Sequence, residues 1–207
     1  MPRASVIILS HRAELLPDAF GSAHAQTYAD TEIIVKYSAQ YWPEKLNEAI
    51  RASSGEYFTV LCDDDLLQPT FLERTIAEAD KAHADLAYTD HEIFGPLPLK
   101  WSFANLVWNR ETLKTHCLPH FTALNRRDLF EKVGGYDGAM SHTDWDYYWR
   151  CMEAGATAVH LPNEYLWKYR AHAGNGSRDF VGDSHLAQLR AKHPEITAMD
   201  HGRVKVA

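Results

Sequence analysis

No uninterrupted apolar run in this chain approaches the roughly 20 residues that cross a bilayer; the longest, such as Val6-Ile7-Ile8-Leu9, fall far short. No secretory apolar region follows Met1-Pro2-Arg3. Together these absences predict a cytosolic protein. Cysteine is scarce: Cys62, Cys117 and Cys151 form no CxxC pair, and an odd number is a poor disulfide framework. Asn175-Gly176-Ser177 spells a glycosylation sequon, which in a cytosolic chain reads as chance. Basic charge is in deficit, with 21 Lys and Arg against 28 Asp and Glu for a formal net charge of −7. That balance disfavours a protein that holds nucleic acid mainly through phosphates, while leaving room for a local basic groove. Neither an internal repeat nor a low-complexity segment is present.

What remains is an ordinary globular composition: 207 residues, 45% hydrophobic and 24% charged, enough for one domain with a sizeable core. Val6 to Leu9 and Glu32 to Val35 are short β-branched runs separated by a mixed, helix-compatible stretch from Glu14 to Tyr28. Pro43 to Ser53 places Leu46, Ala49 and Ile50 at helical spacing, and Ser54-Gly55 ends it before the apolar strand Tyr57 to Leu61. Pro69 suits a first helical turn; Phe71, Leu72, Ile76 and Ala79 form one stripe, and Ala84 to Tyr88 reads as the next strand. Strands alternating with helices predict a mostly parallel sheet covered on both faces, a Rossmann-like α/β sandwich. After Asp90 the periodicity loosens, with Pro96, Pro98, Pro119 and scattered aromatics. Helical spacing returns at Arg127 to Val133, closed by Gly134-Gly135, and at Asp144 to Ala154. The polar stretch from Ser177 to Ala207 reads as a terminal helix and a loose tail.

The chemistry concentrates in Asp63-Asp64-Asp65, directly after the strand ending at Leu61-Cys62. They project from the carboxyl edge of a parallel sheet, where such sheets bind ligands. Three adjacent carboxylates repel unless a cation or a set of donors compensates them, and hard oxygen ligands suit Mg²⁺ or Mn²⁺. The plain alternative is a solvated acidic turn that caps the helix beginning near Pro69.

The order of these elements carries a resemblance. The opening Val-Ile-Ile-Leu strand, Glu32-Ile33-Ile34-Val35, Asn47-Glu48-Ala49-Ile50 and Gly55-Glu56-Tyr57 running into Cys62-Asp63-Asp64-Asp65 resemble the nucleotide half of family 2 glycosyltransferases. Leu124-Asn125-Arg126-Arg127, Val133-Gly134-Gly135-Tyr136-Asp137, Thr143-Asp144-Trp145-Asp146 with Arg150, and Tyr169-Arg170-Ala171-His172 resemble its acceptor half. The resemblance implies a GT-A fold over residues 1–180, with a donor half at about 1–95 and an acceptor half at about 96–180, leaving 181–207 as a C-terminal helix and tail. It implies inverting transfer from a nucleoside-diphosphate sugar with Mn²⁺ or Mg²⁺. Asp63 would meet the donor ribose. Asp64 or Asp65 would hold the metal, Asp64 also facing the donor, with His172 as a further candidate ligand and Arg170 on the diphosphate. For His172 the alternative is an exposed loop histidine. Asp144 matches the presumed base, with Thr143 in place of the family's preceding Glu. Its alternative role is capping the helix it precedes, or leaving that to Thr143. Asp146, in the first turn, reads as a structural partner of the helix dipole.

Two departures stand out. Many members read Asp-x-Asp-Asp where Cys62 begins this motif, and many carry an Asp pair for the donor base where this chain has Lys36-Tyr37-Ser38. Tyr37 is then a candidate to stack on a base, and Ser10 or Arg12 to bind its edge. UDP-sugar is the expected donor because it is the commonest in the family. Trp101 and Trp145 are candidates for the acceptor, whose identity stays open; sugars, lipid carriers, proteins and hydroxylated nucleobases, and so nucleic acid, all remain. Two other classes share these features. A nucleotidyltransferase of related fold would want a glycine-rich loop where Ser10-His11-Arg12-Ala13-Glu14 stands. A nucleotide-sugar-binding module without catalysis would account for Lys36, Cys62 and Thr143.

Overall fold

In the computed structural model, which describes residues 2–38, 43–96, 98–103, 105–172 and 183–197, the first apolar run forms β1 (Ala4–Ser10), buried along its whole length. Its side chains alternate: Ala4, Val6 and Ile8 enter one core, Ile7 and Leu9 the other, as the two-residue period of a strand requires. A strand apolar on both sides needs cover on both. The helices α1 (Leu16–His24) and, further on, α2 (Pro43–Ala52) and α3 (Phe71–Ala82) divide that work. Ala19, Ala23, Phe71, Leu72 and Ile76 from α1 and α3 close the first face. Leu46, Ala49 and Ile50 from α2 close the second. There they are joined by the short α4 (Arg110–Leu113), by α5 (Arg127–Val133) and α6 (Thr143–Glu153), and by α7 (Asp183–Lys192), whose Leu189 packs into the same core.

β1 lies between β2 (Thr31–Tyr37) and β3 (Tyr57–Cys62), parallel to both. A second parallel pair forms further along the sheet. After the two-residue β4 (Leu66–Leu67), β5 (Leu86–Phe94) pairs on one side with β6 (Leu99–Trp101) and β7 (Leu124–Arg126), and on the other with β8 (Ala158–Arg170). The order is β2-β1-β3-β7-β5-β8-β4, with β6 beside β5. The antiparallel pairings span two or three residues each, so the parallel ladders dominate and the expected sandwich stands.

The differences from expectation lie in the second half. β5 runs on to Phe94, and β8 is the longest strand of the described residues although its sequence does not alternate cleanly. Its pairing with β5 slips at Thr89 to His91, where Pro162 and Asn163, the latter at φ 64°, form an irregularity. Such a bulge breaks the period-2 pattern. Buried Asp90 fixes it, accepting from Asn163 N and His160 Nε2 at 2.8 Å each and from Phe103 N at 2.9 Å. Pro69 falls just outside α3, before Thr70, rather than in its first turn. The expected terminal helix is α7; residues 198–207 and the 175–177 sequon lie outside the described residues.

Candidate active site

β1 and β3 run in register, with Leu9 beside Cys62, so the residues following both strands leave the sheet at one edge. Tyr37, paired with Ser10, reaches the same edge from β2 and is 62% exposed. Ser10-His11-Arg12 from β1 thus meets Asp63-Asp64-Asp65 from β3.

Asp63 is saturated by that meeting. Its Oδ2 accepts from His11 N (2.8 Å), Arg12 N (2.7 Å) and Ser10 Oγ (3.3 Å), and its Oδ1 from Arg12 Nε (3.1 Å) and Nη2 (2.6 Å). Burial pushes this carboxyl up, but the backbone donors of Arg12 and His11 and the guanidinium prevail and hold it below the usual carboxylate range. A carboxylate offers about four lone-pair sites, so five donors leave no room for a ribose hydroxyl. The roles expected of Asp63 at the ribose and of fully buried Ser10 at the base edge give way to a structural one: they fasten the turn after β1.

Asp64 shares the Arg12 guanidinium with Asp63. Its Oδ2 lies 2.7 Å from Arg12 Nη2 and 3.0 Å from His172 Nε2, and Arg12 Nη1 also lies 3.0 Å from that nitrogen. Asp65 accepts from Arg170 N (2.9 Å) and Trp167 Nε1 (3.0 Å). Burial, then the charge of Asp64, pushes Asp65 well above the usual range. Arg170 spans the turn, its Nε on the Asp64 carbonyl at 2.8 Å and its Nη2 on Asp18 at 3.0 Å.

Ligand atoms of Cys62, Asp64 and Asp65 lie within 4.8 Å of one another. Burial and then the three neighbouring carboxylates push the Cys62 thiol far up, which keeps it neutral and makes the two aspartates the better donors for a hard cation. The Arg12 guanidinium touches two of the three buried carboxylates, Asp63 and Asp64, and leaves Asp65 to the backbone N–H of Arg170 and the indole of Trp167. Asp64 and Asp65, with His172 beside them, fit a Mg²⁺- or Mn²⁺-type ion.

Trp167 connects this turn to the other half. On β5, His91 is flanked in register by Trp101 of β6 and Trp167 of β8. Its ring lies 6.0 Å and 4.6 Å from theirs, and His120 sits 5.4 Å from His91 and 5.5 Å from Trp167. Beyond His120 stands Asp144. It acts on His120 in opposition to burial, which keeps the imidazole pKa below its ordinary value, and on the Cys117 thiol, which burial and then Asp144 push far up. Neither Thr143 nor Asp144 caps α6 in the expected sense: Thr143 Oγ1 donates to the Asp137 carbonyl, and Asp144 Oδ1 accepts from Trp145 N inside the first turn.

The expectation for Trp145 is corrected, and the structural role expected of Asp146 gains further partners. Trp145 is fully buried with its indole donating to the Leu113 carbonyl at 2.8 Å, so it is core and does not reach an acceptor. Asp146, also fully buried, is held by Arg150, Lys192 and His193 at 2.7 to 2.8 Å rather than by the helix dipole alone. Trp101 does lie beside the cluster. His91, His120 and Trp167 carried no signal beyond their aromatic composition, because only β5 pairing and the 118–124 loop bring them together.

Residues 40–134 match the glycosyl transferase family 2 model. An uncharacterised glycosyltransferase of Rickettsia typhi is 27% identical over 83% of this chain and 64% of its own length; one of Rickettsia prowazekii is 26% identical over 83% and 65%. The chain thus spans just under two thirds of these relatives. Among solved structures, S. aureus TarS 1-349 in complex with UDP-GlcNAc superposes with a TM-score of 0.75 at 14% identity, over 94% of this chain and 66% of that one. The mannosyltransferase PcManGT of Pyrobaculum calidifontis, in complex with GDP-Man and Mn²⁺, gives 0.71 at 16% identity over 96% and 66%. At these identities the structures establish a shared GT-A fold.

Proposed function

Starting from residues 40–134 as a family 2 glycosyltransferase segment, we propose that the chain transfers a sugar from a nucleoside-diphosphate donor to an acceptor hydroxyl with inversion. What supports this reading is the run of contacts from the acidic turn through Trp167 to His120, an imidazole on which the Asp144 charge acts. The donor is a UDP-sugar, in keeping with the UDP-GlcNAc bound by TarS, with GDP as the competing base from PcManGT.

An acceptor hydroxyl is a poor nucleophile at neutral pH. Asp144 takes its proton during attack, a contribution of roughly 10²–10⁴ in rate. Asp64 and Asp65, with His172, would hold Mn²⁺ or Mg²⁺, and the ion would supply positive charge where the departing diphosphate gains negative charge. Arg170 stands beside the same turn to meet a phosphate oxygen. Tyr37 offers an exposed ring at the sheet edge for the base, and Trp101 an indole for the acceptor. Among the described residues no helix is long and apolar enough to cross a membrane.

The test is calorimetry with UDP, GDP, CDP and ADP in Mn²⁺, followed by turnover of the matching sugar nucleotides. Metal-dependent binding of UDP with release of sugar supports the assignment. Binding without turnover of any sugar nucleotide leaves only a binding module, and no nucleotide binding at all removes the reading.

A further inference from the structure

The acidic turn already contains a cation. Arg12 Nη2 lies 2.6 Å from Asp63 Oδ1 and 2.7 Å from Asp64 Oδ2, and Nη1 lies 3.0 Å from His172 Nε2. It therefore engages the same Asp64 and His172 that fit a divalent ion. We propose that Arg12 is the turn's own counter-cation and competes with the divalent ion for Asp64 and His172, leaving them when the ion binds. This rests on the reading of Asp64 and His172 as metal-binding residues.

Three features make the exchange a side-chain motion rather than a rearrangement of the fold. Asp63 holds the backbone N–H groups of His11 and Arg12 directly, so the turn after β1 stays fastened whichever way the guanidinium points. Nε of Arg12 donates to Asp63 Oδ1 and not to Asp64, and gives the guanidinium a pivot. The Arg12 side chain is also 17% exposed, so it has an outlet to solvent. Asp64 is the branch point, because of the two aspartates read as metal ligands it is the one that the Arg12 guanidinium touches; Asp65 takes one donor on each oxygen, from Arg170 N and Trp167 Nε1. A guanidinium and a dication on one carboxylate repel each other, which makes their binding mutually weakening.

The experiment is calorimetry with Mn²⁺ alone on the wild-type chain, Arg12→Met and Arg170→Met, with melting curves to confirm folding. Arg12→Met is expected to bind Mn²⁺ at least tenfold more tightly. Arg170→Met removes the same charge from a guanidinium that touches the Asp64 carbonyl instead of its carboxylate, and is expected to change the affinity by less than threefold. Unchanged or weaker Mn²⁺ binding by Arg12→Met, or equal gains in both variants, overturns the proposal. Should Arg12→Met fail to fold, the Arg12 Nε–Hε NMR signal of the wild type decides. Titration with Mg²⁺ must shift it together with the Asp64 amide, and an unmoved Arg12 signal while Asp64 responds overturns displacement. A UDP titration in Mn²⁺ run alongside separates the two levels: UDP binding with no Arg12 effect defeats only this inference, and absence of any nucleoside diphosphate binding defeats the donor reading.

Discussion

Trp167 donates its indole N–H to Asp65 over 3.0 Å with both side chains buried, and so fastens β8 to the acidic turn after β3. The bond joins residues 102 positions apart and sets one wall of the site. Trp167→Phe keeps a ring beside His91 and deletes the donor. A buried acceptor left without its partner and a smaller ring together cost about 2 kcal/mol. Urea unfolding is expected to show that drop as a lower midpoint with an unchanged slope; an unchanged midpoint would mean that the bond contributes nothing.

Asp146 organises the junction of α6 and α7. Burial pushes its carboxyl up, while hydrogen bonds from Lys192 and His193 and the Arg150 charge prevail and hold it below the usual range. A carboxylate depressed in the folded state contributes stability that is complete above its unfolded pKa of about 3.9 and is lost as pH falls through the folded value. Asp146→Asn strands three donors around a neutral amide. With Arg150 and Lys192 partly exposed, about 2–3 kcal/mol is expected at pH 7. The gap between variant and wild type should narrow when unfolding is repeated near the acid end of that window. An equal gap at both pH values would show that shape, not charge, is what Asp146 supplies.

Asp144→Asn preserves shape and removes basicity. The substitution lies across His120 and Trp167 from the acidic turn, so nucleotide binding is expected to persist while transfer falls by roughly 10²-fold or more. Kinetics alongside calorimetry checks both halves, and near wild-type transfer removes Asp144 from the mechanism.

Much of the first half is readable without coordinates, because there pattern and structure share one cause. Val6 to Leu9 and Tyr57 to Leu61 are apolar on both faces because helices cover both, and a turn of carboxylates after such a strand falls at the ligand edge. α5 is visible through its closing Gly134, which adopts φ 83° at the helix end. The second half hides its order in long-range bonds. β8 loses its alternation to the bulge that Asp90 holds, and His91, His120 and Trp167 meet only through β5 pairing and a loop. Side-chain direction is equally illegible. Trp145 and Trp101 look alike as aromatic candidates, yet one is sealed in the core by Leu113 and the other lies at the cluster. Asp63 and Asp64 are neighbours in one motif, and only the Ser10-His11-Arg12 turn shows that the first is consumed while the second faces Arg12 and His172.

The stereochemical outcome follows from which carboxylates near Asp144 are already engaged. A retaining double displacement needs a carboxylate free to bond the anomeric carbon, as in retaining glycosidases. Asp137 accepts from Ala139 N at 2.9 Å and pairs with Lys192 at 2.6 Å, which fixes it in the turn before α6. Asp146 is fully buried between Arg150, Lys192 and His193. Asp90 is fully buried too, and its oxygens hold Ser102, Phe103, His160 and Asn163. Of these four carboxylates among the described residues, Asp144, whose Oδ1 takes the Trp145 N–H, is the one suited to act, and one base fits direct attack by the acceptor oxygen from the face opposite the departing diphosphate. An α-linked donor is therefore expected to give a β-linked product, read from the anomeric coupling constant by NMR. An α-product from an α-donor would require a covalent or same-face route, and would show that one of the three engaged carboxylates leaves its partners during turnover.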